Sequence, residues 1–296
     1  MRGCGLCDSS RRRVLYAGAE SNDVSPEDFM ITRSGARKPE ISQCLDCGVV
    51  YNSSPAFSRS VYTEVVDEKY DAESGSRMLE FSRAYKTFKK HFPQHGISKI
   101  RLLDAGCFTG VFLNYLKCEE GRTVEGRGIE PSRWAAAEAR SKGLWVEEGF
   151  IEDLLRPGLS LDAVTMFDVI EHVADPRLLL RHVREALGPE GLLMLTTPNF
   201  ETVFRPIFRH RYWFFETMHL FYFSPETIRR LLEETGFEVL SLKRHLKVIP
   251  FHYLMERIAG QFPSFSFLAK IPWPRGLRLP LYIGQMRVIA RKRAAG

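Results

Sequence analysis

One short stretch, residues 99–113, constrains the fold of this chain more than any other. It reads KIRLLDAGCFTGVFL, in which apolar residues lead to Asp104, glycines follow at Gly106 and Gly110, and apolar residues resume at helical spacing. This pattern predicts a strand, a tight turn and a helix. Glycines in such a turn let backbone N–H groups approach a ligand closely, and a helix N-terminus adds unpaired donors and about half a positive charge.

A second acidic residue strengthens the interpretation of this turn as a binding site. Glycine turns after strands also occur in folds that bind no ligand, so the turn alone is a weak signal. Glu130 ends the next apolar strand, one β-α unit further along the chain. An acidic residue at that place is typical of a site that holds a ribose. We therefore expect a ribose-containing ligand between the turn and Glu130.

Length and composition favour one core domain with smaller appendages. The chain has 296 residues, 44% of them hydrophobic, which is enough for a sizeable buried core. No apolar run approaches the roughly 18 to 20 residues that span a bilayer, and the N-terminus carries no hydrophobic signal segment, so we expect a cytoplasmic protein. The net charge of +6 is modest, and the basic clusters at 11–13, 205–211 and 291–293 fit either anionic partners or a solvated surface.

Four of the six cysteines form two CxxC pairs, Cys4 with Cys7 and Cys44 with Cys47. Such pairs in a long chain indicate metal thiolates in a reducing compartment more than a disulfide framework. Four thiolates close a tetrahedral site of the kind that structural zinc takes, with no position left open for catalysis. We predict a zinc ribbon over residues 1–60, with residues 21–39 as a hairpin or loop. A redox CxxC pair and unliganded thiols are the alternatives.

Residues 61–98 are predicted to form a linker and an N-terminal helix. Apolar residues recur at helical spacing between positions 76 and 92, and Pro93 and Gly96 follow. This amphipathic helix either packs on the sheet or acts as a lid over the ligand, with Tyr62 or Tyr70 near it.

Residues 99–200 alternate between strand and helix patterns. After the first turn and helix, strands are predicted at 123–129, 144–147, 163–167 and 191–196, and helices at 132–142 and 176–187. Alternation of this kind predicts a parallel sheet covered on both faces, with ligands at the carboxyl ends of the strands. The unusual polar residues of this region all fall at those ends.

Over roughly residues 76–293 the chain resembles class I S-adenosylmethionine-dependent methyltransferases. The resemblance rests on four motifs: Asp104-x-Gly106-x-x-x-Gly110, Glu130-Pro131-Ser132, Gly149-Phe-Ile-Glu-Asp153, and Phe167-Asp-Val-Ile-Glu-His-Val-Ala-Asp-Pro176. It implies an α/β fold with a Rossmann-like, seven-stranded, mostly parallel sheet and an antiparallel final strand. It also implies that residues 99–296 form the methyltransferase domain, with the zinc ribbon as a small additional segment.

The resemblance further implies which residues hold S-adenosylmethionine. The methionine portion, the ribose and the adenine would be bound by Asp104, Gly106, Cys107, Phe108, Gly110, Glu130, Pro131, Phe150, Ile151, Asp153, Phe167 and Asp168. A carboxylate beside the turn suits a sulfonium cofactor that carries no phosphate. Two positions depart from the usual pattern. Phe108 replaces the middle glycine, and Phe150 stands where related proteins commonly place an acid, which moves adenine recognition to Asp153 or to the backbone.

The segment Asp168-Val-Ile-Glu171-His172 follows the fourth strand and is expected to face the methyl group. His172, with an unperturbed pKa of about 6.5, could take a proton from a substrate hydroxyl while Glu171 orients it. Alternatively, both residues brace the loop through hydrogen bonds. Resemblance to ubiquinone-pathway O-methyltransferases implies a third role, in which Asp168, Glu171 and His172 hold a divalent cation.

The C-terminal part of the chain is expected to supply the substrate side. Aromatic and basic residues crowd positions 198–223, and because exposed rings are costly we expect them to line a substrate cleft. His219 is the second candidate base, or a core histidine. Strands at 238–242 and 286–290 close the sheet, and the insertion at 247–284 between them packs on the core, contributes to a substrate pocket or oligomer contact, or touches a membrane surface peripherally.

The predicted function is methyl transfer from S-adenosylmethionine to a small-molecule acceptor, at a hydroxyl of a natural product, glycan precursor or lipid-linked intermediate. Carbon methylation of a nucleotide sugar is an alternative, as is ribosomal RNA methylation. The residues Phe167-Asp168-Val169-Ile170 and the modest net charge disfavour nucleic acid. A non-catalytic scaffold is the third alternative, supported by Phe108. The oligomeric state stays open.

Overall fold

The computed structural model describes residues 3–18, 38–54, 59–68, 70–71, 74–92, 99–155, 158–261, 263–274 and 276–294. Most of the predicted loop at 21–39 lies outside the described residues, as do Pro93, Gly96 and, in the insertion, Phe262 and Arg275.

The described strands fall into two sheets. In chain order the strands are β1 (Arg12–Tyr16), β2 (Ile41–Cys44), β3 (Val50–Asn52), β4 (Ile100–Ala105), β5 (Val124–Glu130), β6 (Val146–Glu148), β7 (Leu161–Phe167), β8 (Leu187–Pro198), β9 (Phe221–Tyr222), β10 (Phe237–Pro250) and β11 (Arg278–Lys292). The helices are α1 (Ser74–Phe88), α2 (Val111–Glu119), α3 (Arg133–Ser141), α4 (Ile151–Leu154), α5 (Pro176–Ala186), α6 (Phe204–Phe208), α7 (Pro225–Glu234) and α8 (Phe251–Gln261).

The larger sheet has seven strands in the order β10-β11-β8-β7-β4-β5-β6. Strands β4 to β8 pair in parallel, whereas β11 runs antiparallel to both β8 and β10. This confirms the predicted α/β class with its Rossmann-like, mostly parallel sheet and antiparallel final strand. The chain order reverses at β4, which lies between β5 and β7, and such a switch point is where open α/β sheets bind ligands.

The smaller sheet joins the N-terminal residues to the rest of the molecule. Its order is β1-β2-β3-β9, with every pair antiparallel. Three of its strands come from the cysteine-containing segment, but β9 comes from the segment that follows β8. The N-terminal segment therefore packs against the C-terminal half of the chain through backbone hydrogen bonds.

Helices cover both faces of the larger sheet. One face buries α5 and α7, through Leu179, Val183 and Leu232, and the other buries α1 and α2, through Tyr85 and Phe112. The helix starts follow from local chemistry, as α7 illustrates. Its first N–H groups are capped by the Ser224 hydroxyl, which accepts from Thr227 N at 3.1 Å, and a proline follows the cap.

The last two strands are longer than predicted. The sequence pattern indicated strands at 238–242 and 286–290, but the β10–β11 pairing continues past an irregularity between His245 and Lys247 to join Pro250 with Arg278. Much of the predicted insertion is therefore an extension of the sheet. The remainder consists of α8 and a 3-10 helix, Pro263–Lys270. No helix in the described part of the chain is both long and apolar enough to cross a membrane.

A buried group of charges ties α1 to the extended part of β10. Lys247 Nζ lies 3.3 Å from Glu80 Oε1 on α1 and 2.8 Å from Asp168 Oδ2 after β7. Glu80 also contacts His245 Nε2 at 3.0 Å and accepts the Val248 N–H at 3.3 Å. Burial by itself would raise the pKa of both carboxyls. The Lys247 ammonium and the side-chain hydrogen bonds that each carboxylate accepts together outweigh burial and lower both pKa values.

We expect replacement of Gly110 by alanine to destabilise the fold more than an equivalent change elsewhere. A Cβ at this position would lie 2.4 Å from Leu144 Cδ1, and its φ of +76° is itself strained for alanine. Gly158→Ala is the matched control, because its φ is +83° and nothing lies within 4 Å of the added Cβ. The control should lose about 1–2 kcal/mol of unfolding free energy, and Gly110→Ala about 1–3 kcal/mol more. Equal losses in urea unfolding would contradict the packing argument.

We expect Lys247→Met to leave two buried carboxylates without their cation, at a cost of about 3–5 kcal/mol in unfolding free energy at about pH 7. The carboxyls have lowered pKa values in the folded protein, so their stabilising contribution is fully present above their unfolded pKa of about 4 and is lost as the pH falls from there through their lower folded pKa values. In the variant both groups can protonate, so its deficit relative to the wild type should shrink on acidification. Lys243→Met, exposed on the same strand, is the control. A deficit that is independent of pH would argue against the charge network.

Candidate functional site

The glycine turn lies at the carboxyl edge of the sheet, between β4 and α2. Gly106 and Gly110 both have left-handed backbone, with φ of +68° and +76°. A Cβ on Gly106 would lie 2.7 Å from Cγ2 of Val169. These are conformations that glycine permits at little cost. The N–H groups of both glycines donate within the protein, to Ile129 O at 2.8 Å and to Cys107 O at 2.9 Å. The strand, the tight turn and the helix therefore form as the sequence predicts.

Phe108, which replaces the middle glycine, also has a left-handed backbone, with φ of +47°. Its ring packs edge-on against Tyr70 and Trp134, with centroids 4.4 and 5.8 Å apart, and is 9% exposed. Its backbone N–H still donates to Glu130 Oε2 at 2.8 Å. The phenylalanine is thus accommodated without loss of the turn.

Two buried carboxyls lie beside the turn. Glu130, at the end of β5, accepts N–H groups from Phe108 and Ser132, both at 2.8 Å. Asp104, near the end of β4, accepts the Thr165 hydroxyl at 2.7 Å. Burial raises the pKa of Asp104 to about 7 and that of Glu130 to about 7, although the hydrogen bonds oppose the shift. A cationic ligand would stabilise the ionised form of both groups.

Residues 59–68 and 70–71 cross over the turn and its surroundings, and we refer to them as the strap. Asp71 accepts hydrogen bonds from Thr109 Oγ1 at 2.5 Å and Lys142 Nζ at 2.6 Å. Val65 O accepts the Ser132 hydroxyl at 2.7 Å. Tyr70 and Tyr62, the two tyrosines predicted to lie near the ligand, contact Phe108 and His172 respectively. The described strap residues therefore link the turn, the loop after β5 and the loop after β7.

Arg77 is a residue that sequence analysis missed. Its guanidinium lies over the Tyr70 ring, 3.8 Å from the centroid, and its Nε is buried with no hydrogen-bond partner among the described residues. An unpartnered buried guanidinium nitrogen is costly unless an anion reaches it. No local signal separates Arg77 from the other basic residues of α1.

The predicted adenine residues lie after β6. Phe150 precedes α4, Ile151 is buried, and Asp153 pairs with Arg59 of the strap at 2.7 Å. The same guanidinium lies 4.5 Å from the Phe150 ring centroid. The Gly149 N–H donates to the backbone carbonyl of Glu130 at 2.9 Å, which joins this loop to the end of β5.

Three other predicted cofactor residues have side chains that pack within the protein or are only partly buried. Cys107 is buried, and its Sγ occupies the space that a Cβ on Gly128 would need. Phe167 packs on Phe81 and Phe112, with centroids 4.5 and 5.1 Å away. Pro131 joins Glu130 to Ser132 and is partly buried. Any contribution of Cys107 to binding would therefore come from its backbone.

Asp168 does not join Glu171 and His172 as the predicted cation site required. Its carboxylate is engaged by Lys247, by Gln285 Nε2 at 3.0 Å and by the Thr196 hydroxyl at 2.8 Å. A carboxylate neutralised by an ammonium is a poor partner for a second cation. Lys247 comes from the far end of the sheet, where no sequence motif marks it.

His219 takes the place that Asp168 was expected to fill. Ligand atoms of Glu171, His172 and His219 all lie within 4.8 Å of one another. His172 Nδ1 lies 3.0 Å from Met218 O, and His219 Nδ1 donates to Phe214 O at 2.7 Å. Both rings therefore keep a lone pair on Nε2. Burial lowers the pKa of His172 to about 3 and of His219 to about 4, so both are neutral bases near pH 7.

Glu171 lies beneath these rings, fully buried, and neither carboxyl oxygen has a hydrogen-bond partner among the described residues. Burial, reinforced by Asp168, raises its pKa well above the usual range, which favours the protonated acid. Glu171 therefore makes no hydrogen bond to His172, and no direct contact of this kind supports the predicted orienting role.

The aromatic segment does not form the expected cleft wall. Its buried rings pack instead against the N-terminal sheet and against one another. The cluster contains Ile41, Val50, Tyr212, Phe215 and Tyr222, with Phe200, Phe204, Phe208, Trp213 and Phe214 packed at its edge. The prediction failed because β2 and β3 supply the apolar partner, which the spacing of the aromatics does not reveal.

The four N-terminal cysteines converge as predicted. Cys4 Sγ lies 3.5 Å from Cys47 Sγ, Cys7 Sγ lies 3.5 Å from Cys44 Sγ, and all four sulfurs lie within 4.8 Å of one another. Four sulfurs at about 2.3 Å from a tetrahedral zinc ion are about 3.8 Å apart. The donor set and its spacing therefore fit a tetrahedral metal, and no disulfide links them.

Comparison with known proteins places this geometry in a family. Curated relatives include ubiquinone biosynthesis O-methyltransferases from Cereibacter sphaeroides, 36% identical over 34% of this chain and 42% of the relative, and from Citrobacter koseri, 30% identical over 35% and 45%. The chain thus spans less than half the length of these relatives.

Among solved structures, an S-adenosylmethionine-dependent methyltransferase from Archaeoglobus fulgidus is similar, with a TM-score of 0.50 and 19% identity over 76% of this chain and 100% of that one. One from Thermotoga maritima has a TM-score of 0.50 and 20% identity, covering 76% and 95%. These similarities establish the fold.

The sequence profile of the methyltransferase domain family matches residues 77–242, from α1 to the first part of β10. The matched residues include the glycine turn, Glu130, Asp168 and both histidines of the cluster, and they make up more than half of the chain. This protein belongs to the methyltransferase domain family.

Proposed function

We propose that this protein transfers the methyl group of S-adenosylmethionine to a small-molecule acceptor, at a hydroxyl. The observation that carries the proposal is the buried pair Asp104 and Glu130 at the carboxyl edge of the sheet, beside a glycine turn that accommodates a phenylalanine. Family membership supports the reaction class, and the names of the curated relatives support a hydroxyl acceptor.

The residues of the site fit this cofactor by charge. When bound, S-adenosylmethionine supplies an electrophilic methyl group on a sulfonium cation. Asp104 and Glu130, whose pKa values burial raises to about 7, would be ionised more readily beside such a cation. Glu130 retains acceptor capacity for ribose hydroxyls, and the unpartnered Nε of Arg77 suits the methionine carboxylate. Phe150 and Ile151 would flank the adenine.

The histidine cluster suits removal of a proton from the acceptor. Methyl transfer is an in-line displacement, so the protein mainly aligns the reactants and accepts a proton as the nucleophile attacks. His172 and His219 are unprotonated near pH 7 and have Nε2 free of the backbone contacts that hold Nδ1. Protonated Glu171 can donate a hydrogen bond to the acceptor oxygen or to either ring.

A second candidate role for the cluster is to hold a divalent cation. One ring nitrogen from each histidine and a carboxyl oxygen, all within 4.8 Å of one another, make a ligand set, although the carboxyl must first lose its proton. The set would comprise Glu171, His172 and His219, since Asp168 is neutralised by Lys247. In this role the cation would position the acceptor oxygen.

The four-cysteine cluster is proposed to hold structural zinc. Its sulfur spacing supports this, and a metal bound there would supply folding energy.

Calorimetry with S-adenosylmethionine tests the cofactor site. We expect binding by the wild type and a loss of about 10- to 100-fold in affinity for Glu130→Gln, because a charged hydrogen-bond acceptor is removed. Glu125→Gln makes the same change on β5 at an exposed position and should bind as the wild type does. Absence of heat and of any thermal shift for the wild type would favour the scaffold alternative.

Metal analysis of the purified protein tests both metal proposals. We expect one zinc per chain in the wild type and its loss in Cys47→Ser, with a lower melting temperature, since three thiolates no longer close the site. A second metal equivalent that survives in Cys47→Ser and disappears in His219→Ala would support the cation. Wild-type protein that contains no zinc and in which the four thiols of the cluster react with a thiol reagent would contradict the zinc proposal.

The acceptor class is tested by incubating the protein with methyl-labelled S-adenosylmethionine and a fractionated metabolite extract. Label in a small molecule as an ether supports the proposal. Label on a sugar carbon would favour the nucleotide-sugar alternative, and label in RNA the ribosomal one.

A further inference from the structure

Residues 217–222 lie between the cysteine segment and the loop after β7. On one side, β9 pairs with β3, joining Tyr51 to Phe221 and Val50 to Tyr222. On the other side, the Leu220 N–H donates to the backbone carbonyl of Glu171 at 2.7 Å. The polypeptide that carries His219 is therefore held from two directions by backbone hydrogen bonds.

Asn52, the last residue of β3, is hydrogen-bonded to this polypeptide at two points. Its backbone N–H donates to Leu220 O at 2.9 Å, and its side-chain Nδ2 donates to Thr217 O at 3.0 Å. Its Oδ1 accepts the N–H of Ser54 at 3.0 Å. One residue thus binds the backbone on both sides of His219, and each polar atom of its side chain has a partner.

The four-cysteine cluster fixes the hairpin that presents Asn52. Between β2 and β3, Cys44 N–H donates to Val49 O at 2.9 Å, and Gly48 N–H donates to Cys44 O at 3.1 Å. The carbonyl of Cys47 accepts a hydrogen bond from Arg230 on α7, and a Cβ on Gly5 would lie 2.9 Å from the Phe221 ring. The cluster therefore contacts both β9 and the helix that follows it.

We propose that the cysteine segment positions the histidine cluster, and that Asn52 is the positioning residue through which it acts on His219. The ring of His219 lies edge-on to that of His172, with centroids 4.8 Å apart, and it is 5% exposed. A small shift of the backbone at Thr217 or Leu220 would change the distance between the two Nε2 atoms. The proposal rests on the proposed function only in that the histidine cluster serves methyl transfer.

Asn52→Asp is the sharpest test, because aspartate keeps the size of the side chain and the acceptor for Ser54 but cannot donate to Thr217 O. Gln43→Glu is the matched control. It makes the same amide-to-acid change on β2, where the Gln43 side chain accepts from Arg13 at 2.8 Å and donates to Gly48 O at 3.4 Å, and neither partner lies on β9. Both variants are made in the full, metal-loaded chain, and metal content and melting temperature report whether each is folded.

Two measurements that need no acceptor read out the positioning. In hydrogen exchange, we expect amides in 217–222 to exchange at least about 10-fold faster in Asn52→Asp, while amides in β7 stay unchanged. In nitrogen NMR of the histidine rings, we expect the Nδ1–H form of His219 to be partly lost, because its bond to Phe214 O depends on the same backbone. Removal of the metal by a chelator should move the His219 signals in the same direction.

Unchanged exchange and unchanged His219 signals in a folded, metal-loaded Asn52→Asp variant would overturn the proposal, as would equal effects of Gln43→Glu. Calorimetry with S-adenosylmethionine is carried out on the same samples, and we expect affinity within about twofold of the wild type, because Asn52 does not contact the glycine turn. If the wild type does not bind the cofactor but the His219 signals respond, the proposed function fails and the positioning role of Asn52 stands.

Discussion

The carboxylate of Glu130 is the group on which the carboxyl edge of the sheet depends. It accepts one N–H from the glycine turn and one from the loop that starts α3, so it joins the ends of β4 and β5 at one buried point. Two backbone donors cannot remove the cost of burying a carboxylate, and its raised pKa shows that the cost persists. A ligand that adds hydroxyl donors and positive charge would offset this cost.

The carboxylates on the other side of the turn have their cationic and hydrogen-bonding partners within the protein. Lys247 lies between Asp168 and Glu80, and His245 Nε2 also contacts the Glu80 carboxylate. This network positions α1, which carries Arg77. The Nε of Arg77 is a buried cationic donor without a partner, whereas Glu130 is a buried acidic acceptor. An anionic group and a cationic group on the same ligand would satisfy both ends. S-adenosylmethionine has such a distribution of charge.

The N-terminal segment is joined to the rest of the fold by a shared sheet. It supplies three of four strands to a sheet whose last strand follows His219, and it provides the apolar surface on which the aromatic segment packs. The rings that the sequence suggested for a substrate cleft are therefore used to join the two parts of the molecule.

Local sequence patterns were sufficient to predict the succession of strands and helices along residues 99–200. They also located the glycine turn, the position of Glu130 at a strand end and the convergence of the four cysteines. Each of these depends on backbone sterics, hydrophobic periodicity or ligand spacing that a short window contains. The pairing of Lys247 with Asp168, 79 residues earlier, and the convergence of His219 with His172 depend on which strands become neighbours. Strand order places side chains from distant segments at one edge, and no local pattern records that choice. The tertiary structure alone therefore decided which carboxylate near His172 is neutralised by an ammonium and which is left unpartnered.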